Sequence, residues 1–108
     1  MPPKPPYYAV IFISRRSDDD DEGYGKMSAA MQEMAAKQPG YLGIESVRDP
    51  GSRDGITVSY WKDRKSIDGW REVTSHRVAQ EKGRNDWYEK YVVHIARVEK
   101  SYGFGDED

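Results

Sequence analysis

The stretch Tyr7-Tyr-Ala-Val-Ile-Phe-Ile-Ser14 carries apolar or aromatic side chains on both alternating faces, a pattern that predicts a central strand buried on two sides. Beyond it the period changes. Tyr24, Met27, Met31 and Met34 recur at helical spacing, with Ala29, Ala30, Ala35 and Ala36 between them as strong helix formers. The acidic run from Asp18 to Glu22 complements the positive end of that helix, and Pro39-Gly40 stops it. Residues 41–49, with Leu42, Ile44 and Val47, predict a second strand. Ile56 to Trp61 alternates with period two and closes an antiparallel hairpin over the turn-rich segment 49–55. Asp63 or Ser66 can cap a second helix holding Ile67, Trp70 and Val73, and Thr74-Ser75 can cap a further stretch through His76, Val78 and Ala79 to about Gly83. One bent helix and two short ones both fit this segment. Residues 88–100 predict the last strand, with Val92, Ala96 and Val98 on one parity and Tyr91, Val93 and Ile95 on the other.

The order β-α-β-β-α-β predicts an α+β, ferredoxin-like fold: a four-stranded antiparallel sheet with both helices on one face. The other face is then bare. Two strands apolar on both sides would expose a patch larger than soluble monomers usually show. Packing two such sheets face to face across a two-fold axis hides both patches, so a homodimer forming a dimeric α+β barrel is expected. The domain is expected at residues 7–104, after a Pro-rich lead-in at 1–6 and before an acidic tail at 105–108.

Composition sharpens this picture. With 108 residues, 36% of them hydrophobic, the chain is one small module, and its eight Tyr and three Trp must supply much of the packing. Seventeen Lys and Arg against nineteen Asp and Glu leave a net charge of −2, without the cationic footprint that a nucleic-acid partner requires. The absence of Cys excludes disulfides, thiolate metal sites and Cys nucleophiles, and fits the reducing cytoplasm in which the protein is expected. No run approaches the ~20 apolar residues of a membrane span, so no membrane association is expected.

Most local motifs dissolve on inspection. Asp18, Asp20, Glu22 and Gly23 fall on the first positions of a calcium loop, but the position that must supply a bidentate Glu is Ala29. Gly23-Tyr-Gly25 starts a dinucleotide fingerprint that Ser28 breaks. No Ser stands in a nucleophile-elbow context, and two histidines, His76 and His94, do not define a metal site. What remains is an aromatic set around one histidine: Tyr60 and Trp61, Trp70, His76, then Trp87, Tyr88 and Tyr91.

The segments Pro39-Gly-Tyr-Leu-Gly-Ile-Glu-Ser46, Gly55-Ile-Thr-Val-Ser-Tyr-Trp61, Trp70, His76, Gly83-Arg-Asn-Asp-Trp-Tyr-Glu-Lys-Tyr91 and Ala96-Arg-Val-Glu-Lys-Ser-Tyr-Gly103 together resemble the antibiotic biosynthesis monooxygenase (ABM) family. The resemblance spans about Tyr7 to Phe104. It implies a dimeric barrel of ferredoxin-like units, and it points to cofactor-independent monooxygenases of aromatic phenols, to quinol oxidases, to haem-degrading enzymes, or to non-catalytic small-molecule binding or stress-response modules. The haem-degrading pattern has an Asn on the first strand, a Trp on the second helix and a His about ten residues later. Trp70 fits, the first strand holds no Asn, and the tenth position after Trp70 is Gln80. The reaction the resemblance implies first is oxidation of a flat phenolic or quinonoid substrate by O₂, with no cofactor; a non-catalytic binding module and haem binding or degradation are the second and third readings. The resemblance suggests His76 as base, Tyr60 and Trp70 as residues that stack or orient the substrate, and Tyr91 or Arg97 as stabilisers of its anion.

Overall fold

The structure, a computed structural model, describes residues 4–18, 21–80 and 87–105, with the backbone alone described at 75–80. Strands β1 (Tyr7–Arg16), β2 (Tyr41–Arg48), β3 (Asp54–Trp61) and β4 (Tyr88–Val98) alternate with helices α1 (Asp21–Ala36) and α2 (Arg64–Gln80) in the order β1-α1-β2-β3-α2-β4. The strands form one antiparallel sheet ordered β2-β3-β1-β4. This is the ferredoxin-like α+β architecture that the sequence pattern predicts.

Within it, several local expectations change. β1 runs two residues past Ser14, because both arginines there find acceptors. Arg15 pairs with Asp54 across the ladder at 2.8 Å. Arg16, only 2% exposed, donates to the Trp87 carbonyl at 2.7 Å, to the Ser17 carbonyl at 3.0 Å and to Asp21 at 2.7 Å. A buried guanidinium is tolerable only when its donors are used in this way. α1 then starts at Asp21, with Asp21 and Glu22 in its first turn. Its fully buried residue is Ala35, whereas Met27, Met31 and Met34, the expected packing face, are each half-buried. The small Ala35 makes the closest approach and leaves the longer methionines at the margin.

The core cluster joins Ala35, Trp61 and Ile67, with Tyr8, Val10, Tyr41 and Trp70 packed against it. Gly40 makes this docking possible. Its φ is +83°, and a Cβ there would lie 2.0 Å from the Ser66 hydroxyl oxygen in the first turn of α2. Asp63, rather than Ser66, caps α2, accepting from the Ser66 amide at 2.8 Å and its hydroxyl at 2.7 Å. These bonds hold its carboxyl below the usual carboxylate range. α2 is one uninterrupted helix. Thr74, expected to cap a second one, donates instead to the Arg71 carbonyl at 2.9 Å.

Register decides what each face carries, since partners across an antiparallel ladder share a face. Tyr8 and Val10 pack on the core, so the even-numbered residues of β1 and their partners, from Trp61 to Gly55 on β3 and from Arg97 to Tyr91 on β4, look toward the helices. Ala9, Ile11 and Ile13, with Tyr60, Val58 and Ile56 on β3 and Ala96, His94 and Val92 on β4, line the bare face.

Candidate active site

The helices cover their face unevenly: α1 lies mainly along β2 and α2 along β3. Over β1 and β4 the same face stays open among the described residues, with Tyr91, Val93 and Ile95 exposed. The open part has an aromatic floor. The Phe12 ring lies 5.3 Å from Tyr91 and edge-on to Tyr88 at 5.4 Å, and Tyr24 meets Tyr88 edge-on at 5.7 Å and Trp87 at 6.1 Å. These offset and edge-on contacts are the arrangements that ring quadrupoles favour.

One end of this floor is polar, and a glycine makes it so. Arg48 faces Gly55 across the β2–β3 hairpin, and a Cβ at Gly55 would lie 2.6 Å from the guanidinium carbon. With that space free, the guanidinium crosses β3 to donate to the Ser14 hydroxyl at 2.8 Å, the Arg53 carbonyl at 2.8 Å and the Tyr24 hydroxyl at 3.4 Å. The Tyr88 hydroxyl also donates to Tyr24 at 3.4 Å. Arg16 covers the Tyr24 ring from 4.0 Å. Receiving two long hydrogen bonds, the Tyr24 hydroxyl retains its own proton to give. Burial, reinforced by the bond to Tyr24, pushes the Tyr88 hydroxyl well above the usual phenol range, so it is a donor at neutral pH. Rings that can lie against a flat ligand thus end in hydroxyls and a cation that can hold a negative oxygen.

The residues singled out from sequence are distributed unequally around this site. Tyr91 belongs to the aromatic floor. Trp70 stacks on Trp61 at 5.8 Å and joins the packed part of the same face. Arg97 shares the face but stands six positions from Tyr91 along β4, about 20 Å away at the rise of a strand, with Glu99 3.9 Å from it. Tyr60 points to the opposite face, edge-on to Tyr7 at 5.9 Å. Burial, then the Glu45 carboxylate on that face, then Tyr7 push its hydroxyl up. His76 lies on α2, and its side chain is outside the described residues. As the thirteenth residue of an unbroken helix it is remote from the helix N-terminus, so the dipole there does not act on it. Ser14, Tyr24 and Arg48 were missed as a polar group. The signal was the hairpin register, which sets a long cationic side chain opposite a glycine. Among the described residues, no three His, Asp or Glu side chains gather as a metal cluster.

A groove of about 850 Å³ on the bare face is crossed by Val47, Ile56, Ile13 and Val92, edged by Arg15, Asp54 and Lys90, and reaches Ser14, Arg48 and Tyr91 of the site.

The sequence pattern of the antibiotic biosynthesis monooxygenase family matches residues 6–82. The chain belongs to that family. It is similar to the uncharacterized protein YqjZ of Bacillus subtilis, 53% identical over 98 residues that cover 91% of this chain and 84% of YqjZ. The jasmonate monooxygenase ABM of Pyricularia oryzae is 39% identical over 61 residues, covering 54% of this chain and 28% of that one. Among solved structures, the cofactor-independent oxygenase SnoaB of Streptomyces nogalater superposes with a TM-score of 0.71 at 11% identity, covering 90% of this chain and 97% of SnoaB. The heme-degrader MhuD of Mycobacterium tuberculosis, with two hemes bound in its active site, superposes with a TM-score of 0.66 at 15% identity, covering 89% and 99%. At these identities the structures establish the shared ABM fold.

Proposed function

We propose that this ABM protein is a homodimeric, cofactor-independent monooxygenase of the cytoplasm that oxidises a flat phenolic or quinonoid compound with O₂. The observation that carries the proposal is the aromatic floor of Phe12, Tyr88 and Tyr91 ending at Tyr24 and Arg48. The jasmonate monooxygenase and the oxygenase SnoaB support it by kinship and by fold. No described helix is long and apolar enough to cross a membrane.

The substrate lies against Phe12 and Tyr91, with its phenolic oxygen toward Tyr24 and Arg48. His76 on α2 is the base that takes the phenolic proton, and the guanidinium and hydroxyls hold the anion formed. The electron-rich anion passes one electron to O₂. The two radicals then join as a peroxide at a ring carbon that bears one hydrogen and lies para to the phenolic oxygen. Loss of that hydrogen as the O–O bond breaks leaves a second carbonyl. One oxygen atom stays in the quinone, and the other departs as water with that hydrogen and the phenolic proton returned by His76.

Oxygen uptake over a panel of anthrones and hydroquinones tests the proposal. Turnover is expected with at least one of them, reduced about tenfold or more in Arg48→Ala, in line with loss of an oxyanion-stabilising donor. No uptake with any compound, together with a Soret shift on titration with hemin, would replace this reading by haem binding. Neither signal would leave a non-catalytic binding module.

A further inference from the structure

On the helix-bearing side of the sheet, β1 and β4 share rows of facing side chains. Beyond Ser14 and Tyr91, where the polar group stands, come Phe12 with Val93, Val10 with Ile95, and Tyr8 with Arg97. Successive rows lie ~7 Å apart, so the strip from the polar group to Arg97 is roughly 20 Å long. Its character changes along the way. Aromatic rings gather at the Tyr24–Arg48 end, where Phe12 meets Tyr88 and Tyr91. The middle is aliphatic, and Val93 and Ile95 there are 44 and 39% exposed. Core packing holds Val10 and Tyr8 along its β1 edge. The far end is cationic.

The two cations differ in what they have left to give. Arg48 commits its terminal N–H groups to Ser14, Arg53 and Tyr24, so it acts as a fixed charge behind those groups. Arg97 has Glu99 at 3.9 Å, beyond hydrogen-bond distance, with both side chains more than half exposed. An exposed pair of that length contributes little and is readily displaced. A carboxylate arriving on the strip can therefore take two parallel N–H donors of Arg97. Exposed aliphatic side chains between an aromatic platform and such a cation fit an alkyl chain that joins a flat head to an acidic end. They do not fit a longer fused-ring system, for which the platform itself would have to extend.

Resting on the reading of the Tyr24–Arg48 end as the site of phenol oxidation, we infer that the substrate is an amphipathic acid. Its phenolic head lies on Phe12 and Tyr91, its alkyl chain runs along Val93 and Ile95, and its terminal carboxylate pairs with Arg97.

The test is isothermal titration calorimetry of the full chain with para-hydroxyphenyl-acetic, -butanoic, -octanoic and -dodecanoic acids and their methyl esters. Affinity should rise about twofold per methylene, less than full burial gives because one side of the strip is open, up to the member that reaches Arg97. At that length the acid should bind roughly tenfold more tightly than its ester. Arg97→Gln should remove this preference while leaving the ester affinity and the circular dichroism spectrum unchanged. The acetic acid member, too short to span the strip, should be indifferent to Arg97→Gln. No binding, affinity independent of chain length, or an acid preference that survives in Arg97→Gln would overturn the assignment. So would a preference lost in Arg48→Ala alone, which would put the acid at the opposite end. Oxygen uptake separates this inference from the reading beneath it. Uptake with an anthrone or hydroquinone alongside length-independent binding leaves the monooxygenase standing without a tail subsite. Length-dependent, Arg97-dependent binding with no uptake from any phenol upholds the acid ligand and overturns the monooxygenase reading alone.

Discussion

The two ends of the helix-bearing face use the same kind of residue for opposite purposes. At the β2–β3 end, Trp61 is fully buried between Tyr41 and Trp70, its indole N–H donating to the Ser59 hydroxyl at 2.9 Å. At the β1–β4 end, Tyr91 is 53% exposed although it touches Phe12 and Tyr88. The difference lies in what stands above the ring. Helices seated on β2 and β3 close over Trp61, while nothing in the described chain closes over Tyr91. An aromatic residue in a small domain is therefore core or exposed surface according to helix placement, not residue type.

The sharpest way to break this comparison is Trp61→Ala. Removal of a fully buried indole should cost about 3–5 kcal/mol, a large fraction of the stability of a domain this size, and should appear as a lowered midpoint in urea unfolding. Arg48→Ala should cost less, about 1–3 kcal/mol, because it strands the buried Ser14 hydroxyl, while the Arg53 carbonyl keeps the Arg16 amide. Gly55→Ala should mimic part of that effect by displacing the guanidinium. Tyr91→Ala should change stability by no more than about 1 kcal/mol while lowering substrate affinity. A Tyr91→Ala variant as destabilised as Trp61→Ala would erase the distinction between the two ends.

Tyr88 sharpens the comparison through pH. Its folded-state proton is held more tightly than in the unfolded chain, where a phenol titrates near 10.0. The associated stability is present below that value and is lost as pH rises toward the folded-state value. Unfolding free energy should therefore fall above about pH 10, and less steeply in Tyr88→Phe. An unchanged slope would mean that Tyr88 is not buried as described. The smallest effect is expected at Asp63, where replacement by Ala removes the α2 cap and should lower the melting temperature slightly. Because its carboxyl is held below 3.8, that contribution is present above pH 3.8 and disappears as pH falls through the lower folded-state value.

Periodicity alone was enough for the element order, the ferredoxin-like topology and the existence of a bare face. Strand and helix repeats are local properties of the chain, and the connection lengths admit few arrangements of six such elements. The two-sided apolar character of β1 was likewise legible, and β1 is indeed central. β4 has the same character but lies at the edge, exposed on both faces, because strand order depends on how the crossovers pack rather than on a strand's own composition. The site divides along the same line. Tyr91 and Trp70 were recognisable as aromatic candidates, yet the face each residue occupies depends on pairing register, and a one-residue shift reverses it. That is why Tyr60, adjacent in sequence to the core residue Trp61, lies across the sheet from it, and why the contact of Arg48 with Ser14 and Tyr24 exists only once three separate segments have been brought together over Gly55.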